Sequence, residues 1–119
     1  MTSEERNREV HRRFVTAWTE GEVNRLMACV TDDIVYGASV GPEPGATYTG
    51  KDAVAQGFRA IMAHDRGATM STASATFLED RAFVEWISSG VGGEIRGIDV
   101  LVFRDGLIAR KDAYRKSRA

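Results

Sequence analysis

Residues 94–103 read Glu94-Ile95-Arg96-Gly97-Ile98-Asp99-Val100-Leu101-Val102-Phe103, and this run decides the fold. Side chains along a β-strand point alternately to opposite faces. One face therefore receives Ile95, Gly97, Asp99, Leu101 and Phe103, and the other Arg96, Ile98, Val100 and Val102. Both faces are apolar, so both require cover. A carboxylate, Asp99, stands in the middle of the run. Burying it ionised and unpaired is costly, so it is paired, protonated or set in a wet cavity.

Three more β-rich runs surround this one, at residues 70–78, 82–89 and 107–114. Their turns are Glu79-Asp80, the glycine-rich segment 90–93 and Asp105-Gly106. Connections this short predict an antiparallel meander. The Asp105-Gly106 turn sets the neighbour of Asp99. A two-residue loop places Asp99 opposite Asp112, and a three-residue loop, 104–106, places it opposite Lys111. Unlike charges are favoured across a strand pair, so the longer loop with a bulge is expected. The run 82–89 alternates as well, with Val84, Trp86 and Ser88 on one face.

The first half is helical. Val10, Phe14, Ala17 and Trp18 form one stripe over Ser3–Glu20, with Ser3 as candidate N-cap and Gly21 as terminator. A shorter helix is expected over 22–30 and a short strand over 34–36. Segment 37–50 carries both prolines and reads as a loop with a strand near Thr47–Thr49. A third helix, starting at Lys51 or Asp52 and capped by Thr49 or Asp52, buries Val54, Phe58, Ile61 and Met62. Helices followed by an antiparallel sheet define an α+β fold. One helical layer covers one sheet face, and a second subunit is the simplest cover for the other, which predicts a homodimer through the outer sheet face.

The 119 residues fit one domain, 1–119. With 43% apolar and 28% charged residues the chain is ordinary globular material, not disordered or fibrous. A net charge of −1 lacks the basic excess of a nucleic-acid binder. The single cysteine, Cys29, excludes an internal disulfide and a cysteine-rich metal site. No run of 18 apolar residues predicts a membrane span. The charged segment 1–13 does not read as a signal peptide, so a cytoplasmic setting is expected. His11, inside a charged helix, reads as solvated, and His64 as a partner of its helix end. Neither makes a ligand spacing with a carboxylate, so no metal is expected. The basic stretch 110–118 reads as a solvated strand end.

Four phrases, in this order and spacing, resemble the SnoaL-like branch of the NTF2-like superfamily. They are 13–21 (RFVTAWTEG), 30–36 (VTDDIVY), 49–54 (TGKDAV) and 97–108 (GIDVLVFRDGLI). The resemblance implies a cone-shaped fold, three helices packed in a strongly curved, mainly antiparallel sheet with an internal pocket, and often a dimer. Its members include ketosteroid isomerases, polyketide cyclases, limonene epoxide hydrolases and dehydratases. Carried over residue by residue, it matches Asp99 to an acid/base or oxyanion-hole aspartate. It places Phe14 where isomerases have a tyrosine and Ala38 where they have a general base. Trp86 and Ser88 stand where epoxide hydrolases have Arg and Asp, and their further Asp falls near Ala113, with Asp112 one residue away.

The resemblance implies a cofactor-independent enzyme acting on a hydrophobic, oxygenated small molecule by cyclase-, isomerase- or lyase-type acid/base chemistry. Asp99 is its candidate catalytic residue, tuned by Lys111. Tyr36 and Ser88 are candidates to orient the ligand, and Phe14, Trp18, Phe58, Met62 and Trp86 to wall it. The alternative is a non-catalytic ligand-binding or dimeric interaction module of the same fold.

Overall fold

The computed structural model describes residues 1–42, 44–90 and 92–116. Its elements run α1 (Ser3–Glu20), α2 (Val23–Met27), β1 (Val30–Gly37), β2 (Thr47–Thr49), α3 (Lys51–His64), β3 (Thr69–Leu78), β4 (Arg81–Gly90), β5 (Gly93–Arg104) and β6 (Leu107–Arg115). The six strands form one sheet in the order β2-β1-β6-β5-β4-β3. Neighbours are antiparallel except β1 and β6, which run parallel. The architecture is the expected α+β cone.

The helix ends follow local chemistry, with two corrections. The cap of α1 is Thr2, not Ser3: its hydroxyl accepts from the Glu5 amide while the Glu5 carboxylate accepts from the Thr2 amide. Gly21, at φ 69°, ends the helix in the left-handed conformation. The N-cap of the third helix is Gly50, with no side-chain hydrogen bond, so neither Thr49 nor Asp52 serves. Thr31, Asp32 and Asp33, outside the strand expected over 34–36, belong to β1, where both aspartates face solvent.

Three register shifts interrupt the ladders, at 72/74 in β3, at 30/35 in β1 and at 102/103 against β6. Bulges bend a strand and increase its twist, and here they curl the sheet around α1 and α3. The interior is aromatic. Phe58, fully buried, meets Phe14, Trp18 and Tyr36 edge-on, with ring centroids 4.8–5.8 Å apart. Tyr48 stacks on Tyr36 and lies against Gly57, where a methyl group would sit 2.6 Å from its ring.

The β5–β6 turn departs from expectation in an instructive way. Asp105 and Gly106 both take positive φ, 54° and 76°, and Arg104 pairs with Leu107. The loop is therefore a two-residue turn of the primed kind that suits strand twist. The extra residue sits further along: Val102 faces Arg110 and Phe103 faces Ile108, leaving Ala109 as a bulge. That slip sets Asp99 opposite Ala113, with Lys111 opposite Leu101. Asp99 and Lys111 become diagonal neighbours on one face, within reach of a long side chain. Asp112 turns to the other face, where Arg110 binds it.

Candidate functional site

A cavity opens between α1 and the concave face of the sheet. Helix α1 lines it with His11, Phe14, Val15, Trp18 and Thr19, one continuous helical stripe. Trp86 of β4, Asp99 and Leu101 of β5, and Lys111, Ala113 and Arg115 of β6 form the opposite wall. Tyr36, Ser39, Ile61 and Asp65 close one side, and Met70, Ser71 and Thr72 of β3 close the other. The space admits the centres of water-sized molecules over about 70 Å³, several times the roughly 10–15 Å³ that one water needs.

The strand alternation that singled out Asp99 aims its carboxylate at this space. Its Oδ2 accepts from Lys111 Nζ at 2.7 Å, and its Oδ1 accepts from Trp86 Nε1 at 3.1 Å. The lysine side chain is 6% exposed and the aspartate 17%. Lys111 Nζ also sits 5.0 Å from the Trp18 ring centre, 5.7 Å from Tyr36 and 5.9 Å from Phe14. A three-ring surround favours a cation. The buried pair thus meets the condition under which burial is tolerable, close geometry with further partners. The same pair forms part of the cavity wall.

A second pair lies at the other end of the same strand face. Arg115 binds Asp65 in bidentate fashion, at 2.8 and 3.1 Å, and gives its Nε–H to Ser39 at 2.9 Å. Its guanidinium lies 5.5 Å from the Trp86 ring centre. Burial pushes the Asp65 carboxyl up, but hydrogen bonds from Arg115 and His64 outweigh it and hold the group below its ordinary value. Burial pushes the Tyr36 phenol well above its usual range, with the Asp99 charge adding to the effect. Burial also lowers His11; the Asp99 charge opposes this and the Lys111 charge adds to it.

The structure brings Phe14, Trp18, Tyr36, Trp86, Asp99 and Lys111 together at the cavity. Three other candidates stand elsewhere. Phe58 lies behind the wall in the aromatic core, Met62 packs half-buried against that core, and Ser88 is buried between Met70 and Ile95 as their strand partner. Two residues read as solvated are cavity residues instead. His11 is three residues before Phe14 and seven before Trp18, on their stripe, and Arg115 continues the alternation of 111 and 113. Both signals were present in the spacing. Ser39 and Asp65 carry none, because their partner lies 76 and 50 residues away. Among the described residues, no group of three His, Cys, Asp or Glu side chains is arranged to hold a metal ion, and no helix is long and apolar enough to cross a membrane.

The SnoaL-like domain family model matches residues 11–111, a span that includes both members of the Asp99–Lys111 pair. The chain belongs to that family. Among solved structures, an NTF2-like protein of unknown function from Mesorhizobium loti is 24% identical, with a TM-score of 0.84 over 98% of this chain and 96% of that one. A Kribbella flavida protein provisionally named ketosteroid isomerase is 17% identical, with a TM-score of 0.82 over 100% and 84%. A Sinorhizobium meliloti protein provisionally named polyketide cyclase is 20% identical, with a TM-score of 0.75 over 88% and 93%. These likenesses establish the fold. A search among curated proteins finds no match.

Gly97 makes the Trp86–Asp99 contact possible. A methyl group on it would lie 2.1 Å from the indole Cζ2, so the ring crosses β5 only where no side chain stands. Gly97→Ala is expected to displace the indole from Asp99. The measurement is tryptophan emission, which reports on Trp18 and Trp86 alone. A red shift with the fold retained by circular dichroism is the expected result, and an unchanged spectrum contradicts the packing argument.

Proposed function

We propose that the protein is a small-molecule enzyme that moves protons without a cofactor, with Asp99 as proton acceptor and Lys111 as the donor that holds the developing oxyanion. The observation that carries this reading is the Lys111–Asp99 hydrogen bond in a cavity wall. Both Asp99 oxygens already accept hydrogen bonds, which favours the carboxylate form, so the oxyanion-holding role passes to the ammonium. In the proposed step, Asp99 takes a proton from carbon beside a substrate carbonyl. The C–H electron pair forms an enolate, a Lys111 N–H holds the enolate oxygen, and Asp99 returns the proton to a second atom.

Two features bear on the substrate. The aromatic wall of Phe14, Trp18 and Trp86 suits a hydrophobic body. The two ion pairs leave the cavity's formal charges balanced, which favours a neutral, oxygenated molecule over an acid. Ala38 and Phe14 lack the groups that the isomerase resemblance implies, so the mechanism rests on β5 and β6 rather than on β1 and α1.

Solvent deuterium exchange into 1-indanone and 1-tetralone, followed by NMR, tests the reading. Exchange above background is expected for the native chain, with a loss of about 10²–10⁴-fold in Asp99→Asn, while quenching of tryptophan emission by the same ketones persists. Quenching without any exchange contradicts catalysis and favours a binding module.

We further propose that two copies pair through the outer sheet face. Phe83, Ile98, Val100 and Val102 form a half-exposed apolar patch there, flanked by the Arg110–Asp112 pair. Sedimentation is expected to show a dimer that Val100→Glu converts to monomer. A monomeric native chain contradicts the proposal.

A further inference from the structure

We propose that His11 is a second proton-transfer group of the cavity, and that the substrate is a hydroxycarbonyl compound whose oxygen-bound proton the imidazole carries. This rests on the acid/base reading of Asp99 and extends it. The imidazole is on the cavity wall, in line with Phe14 and Trp18 on α1. Phe77 of β3 meets it edge-on at 5.6 Å and fixes one side of the ring. Among the described residues, no hydrogen-bond partner holds either ring nitrogen.

The surrounding charges are already committed. From β5 and β6, Asp99 binds Lys111 and acts on the ring with the opposite sense to it. At the far end Arg115 binds Asp65. On α1 itself, Arg8 lies over the Phe77 ring, 4.5 Å from its centre, and pairs with Glu4. The Tyr36 phenol is held protonated by burial and only donates. His11 is left as the neutral cavity group that both accepts and donates a proton at neutral pH, because desolvation disfavours its charged form.

Two proton carriers of different kinds match a reaction with two proton movements. In an α-hydroxycarbonyl compound, Asp99 takes the carbon-bound proton and the electron pair forms the enediolate. The imidazole nitrogen accepts the hydroxyl proton, becomes imidazolium and gives that proton to the former carbonyl oxygen. Asp99 then returns its proton to the neighbouring carbon. Carbonyl and hydroxyl have exchanged places, with no external oxidant, reductant or water consumed. A neutral imidazole and a carboxylate divide such labour in known acid/base sites.

The experiment compares 2-hydroxy-1-indanone with 1-indanone in the native chain, His11→Gln and Asp99→Asn, with the two histidine ring resonances followed by NMR. His64→Gln assigns those resonances, since the chain has two histidines. The hydroxyketone is expected to shift the His11 signals and leave His64 in place. It is also expected to exchange faster than the plain ketone, an advantage that His11→Gln removes by about 10²-fold. Free imidazole is expected to restore it in His11→Ala. The native rate should fall as pH drops through the lowered His11 value, a limb absent from His11→Gln. Fixed His11 signals under a ketone that quenches tryptophan, or equal hydroxyketone rates in native and His11→Gln chains, overturn the proposal while leaving Asp99 untouched. Exchange that survives Asp99→Asn but not His11→Gln overturns the Asp99-centred reading and retains the imidazole. Silence of both the indole and the imidazole signals overturns both.

Discussion

The charge pair between Asp99 and Lys111 is the constraint from which the cavity follows. A carboxylate on the concave face of a curved sheet needs a partner, because an uncompensated buried charge costs several kcal/mol. Lys111 supplies it at 2.7 Å, and the lysine in turn needs a surround that tolerates a cation. Phe14, Trp18 and Tyr36 provide that surround from α1 and β1. The indole N–H of Trp86, itself a buried donor in need of an acceptor, takes the other oxygen. One pair therefore ties together five separate elements, α1, β1, β4, β5 and β6, and the remaining space beside it is the cavity.

That arrangement depends on backbone details of one or two residues. The bulge at Ala109 brings Lys111 onto the Asp99 face and sends Asp112 outward. Gly97 lets the Trp86 ring lie across β5. The bulge at 72/74 bends β3, whose Met70, Ser71 and Thr72 line the cavity. Each is a local irregularity whose effect is to aim a side chain, which is the usual consequence of bulges near sites.

Much of this was legible in the chain. The two-faced run 94–103, the helical stripe of α1 and the short turns define the α+β order because periodicity is a local property. Asp99 stood out for the same reason. Attraction of unlike charges predicts the pairing of Asp99 with Lys111, but the pairing arises from a bulge and not from a longer loop. The turn obeyed the positive-φ preference of Asp105-Gly106, and the bulge moved to a position that no local signal marks. The charged sequence around His11 and Arg115 predicts exposure to solvent, but both line the cavity. Their spacing placed them inward, and burial follows the face a residue occupies as well as its polarity. Ser39 and Asp65 depend on contacts far apart in sequence and were out of reach.

The central claim is that the cavity is organised by a coupled, ionised pair. A double-mutant cycle on folding stability at neutral pH, with Lys111→Met and Asp99→Asn, tests it most directly. The account predicts that Lys111→Met alone costs about 3–5 kcal/mol, by stranding a buried carboxylate. Adding Asp99→Asn should then recover most of that loss, giving a coupling well above the roughly 0.3–0.5 kcal/mol of independent sites. Additive effects of the two substitutions would contradict it.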